Sequence, residues 1–383
     1  MRSRLNSRLG WSLLASTTAL FLSFSPASAG YVEFNLDSDI PGDATFTEPT
    51  LVNPWGMAAS PTSPWWLNDN GTGLATIYNG NTGVRNAGLV VTIPPPENGT
   101  PPSAPTGMVF NGSTGFVLPN GTKASFIFST EDGTIAGWNG GASAIIEAQA
   151  LPKDPVFKGL AIGKAGGNDY LYASDFHNAK VQVFDTTFKE VDLAGSFTDP
   201  TLPDGYAPFG IQNIGGLIYV SYAKQTPGSG DETDGPHLGF VSVFNPDGTF
   251  VKRVASNGAL DAPWGMVLAP ADFGPFGGDL LVGNFGDGKI SAFDPVTNAF
   301  LGNLPSPEHF GLTIDGLWGL GFGNGVSSGP TNSLFFTAGI DGEAHGLFGD
   351  LKFVKTPEPA TLTLFSVGLA GLGAWRRRKA RKD

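Results

Sequence analysis

The sequence predicts an all-β chain folded as a six-bladed β-propeller, and three observations carry that prediction. A short glycine motif recurs: Asn53-Pro54-Trp55-Gly56-Met57, then Thr106-Gly107-Met108, Lys158-Gly159-Leu160, Phe209-Gly210-Ile211, Trp264-Gly265-Met266 and Trp318-Gly319-Leu320. The glycines lie 51, 52, 51, 55 and 54 residues apart, and a period of about fifty marks a repeat architecture. Each unit then runs through β-rich stretches to an aromatic residue followed by Asn or Asp, at Tyr78-Asn79, Trp138-Asn139, Phe184-Asp185, Phe244-Asn245 and Phe293-Asp294, blurring to Phe348-Gly349-Asp350 in the sixth. Connections are short and no convincing amphipathic helix intervenes, as a ring of small antiparallel sheets requires.

The elements follow in chain order. Arg2, Arg4 and Arg8 precede an apolar run from Trp11 to Phe24, and Ala27-Ser28-Ala29 closes it. This is the pattern of a secretory signal peptide over residues 1–29, with cleavage expected after Ala29. The propeller is expected over residues 30–355. Its first strand, residues 31–36, has no partner nearby in sequence. The last unit supplies only three strands, at 317–322, 333–338 and 347–354, so the N-terminal strand is expected to complete it and close the ring. Blades one to five are each expected to carry four strands, including a fourth strand at 191–197 in blade three. Long polar loops are expected at 94–105 and 224–238, lengths that suggest function or mobility.

Pro357-Glu358-Pro359, an apolar segment at 360–375 and a basic cluster from Arg376 to Lys382 end the chain. This tripartite tail, residues 356–383, resembles the PEP-CTERM sorting signal of Gram-negative bacteria. The resemblance implies export through the Sec machinery, transient anchoring in the inner membrane through residues 360–375, processing by an exosortase-type enzyme, and a final place at the cell surface or outside the cell.

Composition narrows the function classes. The two ends hold nine of the 22 basic residues and one of the 34 acidic ones, leaving 13 against 33 in the body, a net charge near −20. Such a surface repels nucleic acid and anionic lipid, so neither is expected as a partner. There is no cysteine, so thiol chemistry and cysteine-ligated metals are excluded, and the core alone must hold the exported protein together. The 29 phenylalanines and eight tryptophans supply that core, and the 55 glycines belong to turns between short strands.

In a propeller, the turn before each inner strand and the turn between the second and third strands share one face, here called upper. Two sets of candidate ligand-binding residues converge there: an aromatic ring of Trp55, Phe209, Trp264 and Trp318, and a polar ring that includes Asp69, Asp132, Asp175, His177, Asn284, Asp287, Asp341 and His345. For each residue alone, packing between blades and side-chain turns are the simpler account of the repetition.

The body resembles NHL-like propellers, and more narrowly a family of exported bacterial proteins that often carry the PEP-CTERM tail. The matching stretches are Leu36-Asp37-Ser38-Asp39-Ile40-Pro41-Gly42, Leu51-Val52-Asn53-Pro54-Trp55-Gly56-Met57 and Asn68-Asp69-Asn70-Gly71-Thr72-Gly73. This resemblance implies a fold and an export route and assigns no reaction. Three readings therefore compete: a binding module for extracellular polysaccharide or protein, a structural matrix protein, and a Ca²⁺-dependent hydrolase similar to lactonases and gluconolactonases. The last would need oxygen ligands converging on the channel mouth. Nucleophile elbow, phosphate-binding loop and zinc signature are all missing from the sequence.

Overall fold

The computed structural model describes residues 29–149, 155–307 and 311–355. Most of the expected signal peptide, residues 1–28, and the tail with Pro357, Glu358 and Pro359 lie outside the described residues. The described chain is all β, with no helix, and its strands form six antiparallel sheets set as the blades of a propeller.

The inner strands are Pro54–Ala58, Pro105–Phe110, Phe157–Ala165, Tyr206–Ile214, Pro263–Leu268 and Leu317–Phe322. Each carries a register break at the repeat glycine, between Pro54 and Met57 in blade one and between Leu317 and Leu320 in blade six. Glycine is required there by close approach. A Cβ on Gly319 would stand 2.7 Å from the Trp55 carbonyl oxygen, and one on Gly159 3.0 Å from that of Phe209. At Gly56, Gly210 and Gly265 the clash with the next inner strand's carbonyl, that of Thr106, Trp264 and Trp318, would be closer still. The six glycines thus let neighbouring inner strands touch backbone to backbone around the whole ring.

A bulge frees carbonyls from the ladder, and buried carbonyls need donors. The second strand of each preceding blade supplies several. Asn68 Nδ2 donates to the Thr106 and Gly107 carbonyls (both 3.0 Å), Ser174 Oγ to Phe209 O (2.6 Å), and Thr337 Oγ1 to Trp55 O (2.5 Å). Asn68, Ser174 and Thr337 are fully buried. The small polar residue in the middle of an apolar second strand is therefore a clasp between blades.

The ring closes as the strand count requires. Gly30–Ser38 lies antiparallel to Leu347–Val354 in the last sheet, with Gly30 opposite Val354 and Ser38 opposite Leu347, and the two-residue strand Phe46–Thr47 pairs parallel on its outer edge. Tyr31 is completely buried, and its hydroxyl donates to Phe273 O at 2.8 Å in blade five. Asp39, just past the strand, accepts from Gly346 N at 2.8 Å and pairs with His345 Nδ1 at 2.7 Å, fastening the leader to the last blade's upper turn.

One expectation needs correction. Residues 191–197 form no fourth strand, so blade three has only Phe157–Ala165, Asn168–Asp175 and Lys180–Phe184. After Val191 N bonds Val183 O, the segment swings away. Gly195 N then bonds Asp247 O (2.8 Å) and Phe197 N bonds Gly248 O (3.0 Å), so blade four's lower turn takes the hydrogen bonds a strand would have used. The loop at 224–238 is built rather than loose: Glu232–Thr233 pairs back onto Lys224–Gln225, and Thr226 N bonds Asp231 O at 2.9 Å.

Charge divides between the faces. The six turns between second and third strands, with the strand ends beside them, carry Asp69, Glu131, Asp132, Asp175, Asp231, Glu232, Asp234, Asp287, Asp341 and Glu343 against Lys180, Lys224 and Lys289. The lower turns and the strand ends beside them mix Asp169, Asp185, Glu190, Asp192, Asp247, Asp272, Asp279 and Asp294 with Arg85, Lys123, Lys164, Lys189 and Lys252.

Candidate functional site

The residue before each repeat glycine starts the inner strand at the upper end of the channel. Trp55, Phe209, Trp264 and Trp318 meet there as expected, joined by Phe176 and Phe285. Trp55 stacks on Trp318 with ring centroids 3.6 Å apart, Phe285 also stacks on Trp318 at 4.1 Å, and Phe209 and Trp264 approach it edge-on, each at 5.8 Å. Trp318 Nε1 donates to Asn53 Oδ1 (3.1 Å) and Trp264 Nε1 to the Lys158 carbonyl (2.9 Å). The result is a plug, with Trp55, Trp318 and Phe209 buried and Trp264 partly exposed.

The sixfold pattern breaks at Lys158. Its side chain is 2% exposed, with Nζ 5.0 Å from the Trp55 ring centroid and 5.9 Å from that of Phe176. Glu131 Oε1 accepts from Nζ at 2.6 Å, while Asp231 and Glu232 stand at 3.6 Å. Asn70 Nδ2 holds the other Glu131 oxygen at 2.9 Å, and Asn53 Nδ2 donates to Glu343 Oε2 at 2.7 Å. Burial alone would lower the Lys158 pKa, but Glu131, Glu232 and Asp231 outweigh it and raise it, so the ammonium stays charged. Burial pushes Glu232 up to about 6 against the pull of Lys158, and raises Glu343 as well. An ammonium over two aromatic faces, ringed by carboxylates, thus sits at the upper mouth.

The remaining expected site residues are distributed around this centre. Asp69 is fully buried within blade one, accepting from Thr76 Oγ1 at 2.7 Å, and burial drives its pKa well up. Asp175 organises its own turn, accepting from Asn178 Nδ2 (2.7 Å) and Gln182 Nε2 (2.8 Å). Asp132 accepts from Ala104 N, and Asn284 donates to Asp287 at 2.9 Å while Lys289 bonds the other Asp287 oxygen. His177 is exposed, and its carbonyl accepts from Gln225. Asp341, also exposed, donates its N–H to Asp315, and His345 is paired with Asp39. Among the described residues, no three His, Asp or Glu side chains are grouped as a metal ion would need.

Lys158, Glu131, Glu232, Glu343 and Asn53 form the centre that the expected site residues surround. A signal existed in the sequence: five of the six residues preceding the repeat glycine are aromatic or threonine, and one is lysine.

Beneath the plug, a narrow channel of about 40 Å³ passes the repeat glycines. It opens on the lower face as a funnel of about 450 Å³, lined by Met57, Trp65, Met108, Phe110, Ile162 and Phe322 among others.

Uncharacterized protein R648 of Acanthamoeba polyphaga mimivirus is 33% identical over 336 residues, covering 82% of this chain and 78% of the relative. Uncharacterized protein L690 of the same virus is 34% identical over 330 residues, covering 80% and 82%. The chain belongs to the family of these proteins. Its residues 355–379 match the PEP-CTERM protein-sorting motif. Among solved structures, a streptogramin B lyase is similar with a TM-score of 0.48 at 14% identity, covering 86% of this chain and all of that one. A glucose dehydrogenase gives 0.48 at 14%, covering 85% and 100%.

Proposed function

We propose that the protein is an exported binding module, carried out by the Sec route and a PEP-CTERM sorting enzyme, that displays its upper face at the surface of a Gram-negative cell or beyond it. The sorting motif supports the route. The NHL-like character of the repeat belongs to the same reading, since such scaffolds present ligands at the channel mouth.

The observation that carries the binding reading is Lys158. A Ca²⁺-dependent hydrolase of the lactonase or gluconolactonase type needs its carboxylates free for the ion. Here an internal ammonium already lies among Glu131, Glu232 and Asp231. The residues at the mouth therefore do not fit a resident Ca²⁺ while Lys158 is in place. What they offer instead is a rim of acceptors around a partly exposed indole, Trp264. Neutral sugars present many hydroxyl donors and an apolar ring face, which suit that rim, and acidic polymers are repelled by it. The ligand is accordingly an uncharged extracellular polysaccharide.

The mature protein on an array of neutral and acidic glycans tests this. Binding to neutral glycans that falls at least tenfold in Trp264→Ala is expected, about 1.4 kcal/mol or more at a buried aromatic contact. Ca²⁺-dependent lactone hydrolysis by the wild-type protein would overturn it.

A further inference from the structure

The lower face is chemically unlike the upper one. Thirteen large apolar side chains are exposed among the described residues, and all but Phe34 and Phe46 lie on lower turns or at lower strand ends. They include Val117, Phe250, Leu268, Val296, Phe300 and Val326, with Val296 83% exposed. The funnel, whose lining includes Gln212 and Asn213 beside its apolar residues, opens on the same face. Exposed apolar surface concentrated on one face of a protein with so acidic an opposite face marks an interaction surface.

Chain direction identifies the partner. The closing strand begins at Gly30 opposite Val354, the end of the last strand, so both ends of the propeller emerge on the lower face. The sorting motif begins at residue 355, immediately after Val354. No spacer separates the last blade from the tail, whose apolar segment at 360–375 and basic end have the composition of a membrane anchor. A body tethered so closely must turn one face to the bilayer. The upper turns and strand ends would bring ten carboxylates against three lysines to anionic headgroups, whereas the lower ones bring eight carboxylates against Arg85, Lys123, Lys164, Lys189, Lys252 and Lys355, with the exposed apolar side chains among them, so the lower face is repelled less.

We propose that the lower face docks on the lipid surface while the tail is anchored, with the exposed apolar side chains of its turns entering the headgroup region and the upper mouth pointing away from the membrane. The proposal rests on the anchoring that the sorting motif implies. It gives the tail's position a purpose beyond address: the ligand site is held outward before release.

The absence of cysteine makes the test clean, because one introduced thiol carries one label. Val296→Cys on the lower face and Asp341→Cys on the upper face are each labelled with an environment-sensitive fluorophore in the full mature chain. The chain is then reconstituted in vesicles of phosphatidylethanolamine and phosphatidylglycerol containing nitroxide-labelled lipid. A blue shift and strong quenching at position 296, with neither at position 341, is the expected result. Cosedimentation with vesicles while both labels stay unquenched overturns the docking and leaves anchoring intact. Quenching at position 341 instead reverses the orientation and also overturns it. Failure of the full chain to cosediment removes the anchoring reading itself, and the docking with it.

Discussion

Six equivalent positions, the residues before the repeat glycines, do five structural jobs and one electrostatic one. Trp55, Phe209, Trp264 and Trp318 fill the upper channel, and Thr106 Oγ1 bonds Phe157 O at 2.6 Å across a blade boundary. Lys158 instead supplies charge. Desolvating an ammonium costs several kcal/mol, which Glu131, Glu232 and Asp231 offset together with two aromatic faces. Lys158→Met would keep the stem's volume and leave those carboxylates crowded without a cation. A loss of about 3–5 kcal/mol is expected, measured by denaturant unfolding, because breaking one side of a buried ion pair exposes the full penalty of the other. A loss under about 1 kcal/mol would show the pair to be a surface-like contact. The sequence made the glycines legible, since each blade must solve the same close approach. It hid the lysine centre because Glu131, Glu232 and Glu343 come from three different blades, and only the folded ring brings them to Lys158.

At the scale of the strand, the closing segment does most to make the ring one unit. Gly30–Ser38 contributes Tyr31 to the core shared by blades five and six and pairs along the full length of Leu347–Val354. Strand counting predicted this because an unpaired edge is costly, whatever the residues. Blade three's outer edge was misjudged for a local reason: Val191 to Phe197 has strand composition, but Gly195 packs on Gly248 and diverts the chain to blade four. Removing residues 30–38 from the mature protein unpairs an apolar strand and exposes blade five's flank. The melting temperature is expected to fall by about 5 °C, since a few kcal/mol is lost and each moves a domain of this size by about 1.5 °C. An unchanged melt would mean that the ring is held without its closing strand.

Over the whole molecule, burial of acid groups sets a pH signature. Burial raises Asp37 to about 7, with Glu48 adding to it, and raises Glu232 to about 6. Both folded-state values lie above the unfolded ones, so the native state binds more protons between about pH 4 and pH 7. Each group therefore costs stability above its folded pKa, a cost relieved as pH falls through that value. Asp199 has the opposite sign: burial would raise it, but Arg253 and Ser242 hold it at about 2, a contribution lost only in strong acid. The melting temperature should rise on acidification from about pH 8 to about pH 5.5 and fall again below about pH 4. A monotonic fall from neutral pH would contradict the assignment of Asp37 and Glu232.

The same balance of charge bears on what the upper mouth is for. If Lys158 is the cation that its carboxylates are built around, millimolar Ca²⁺ has no site to fill there, and a ligand that does not bind the native state cannot stabilise it. Thermal melting of the wild-type protein across a Ca²⁺ titration is the direct measurement. The structure predicts a melting temperature that does not move. A rise that follows Ca²⁺ concentration, and that disappears in Glu131→Gln, would contradict it and return the mouth to a metal-dependent role.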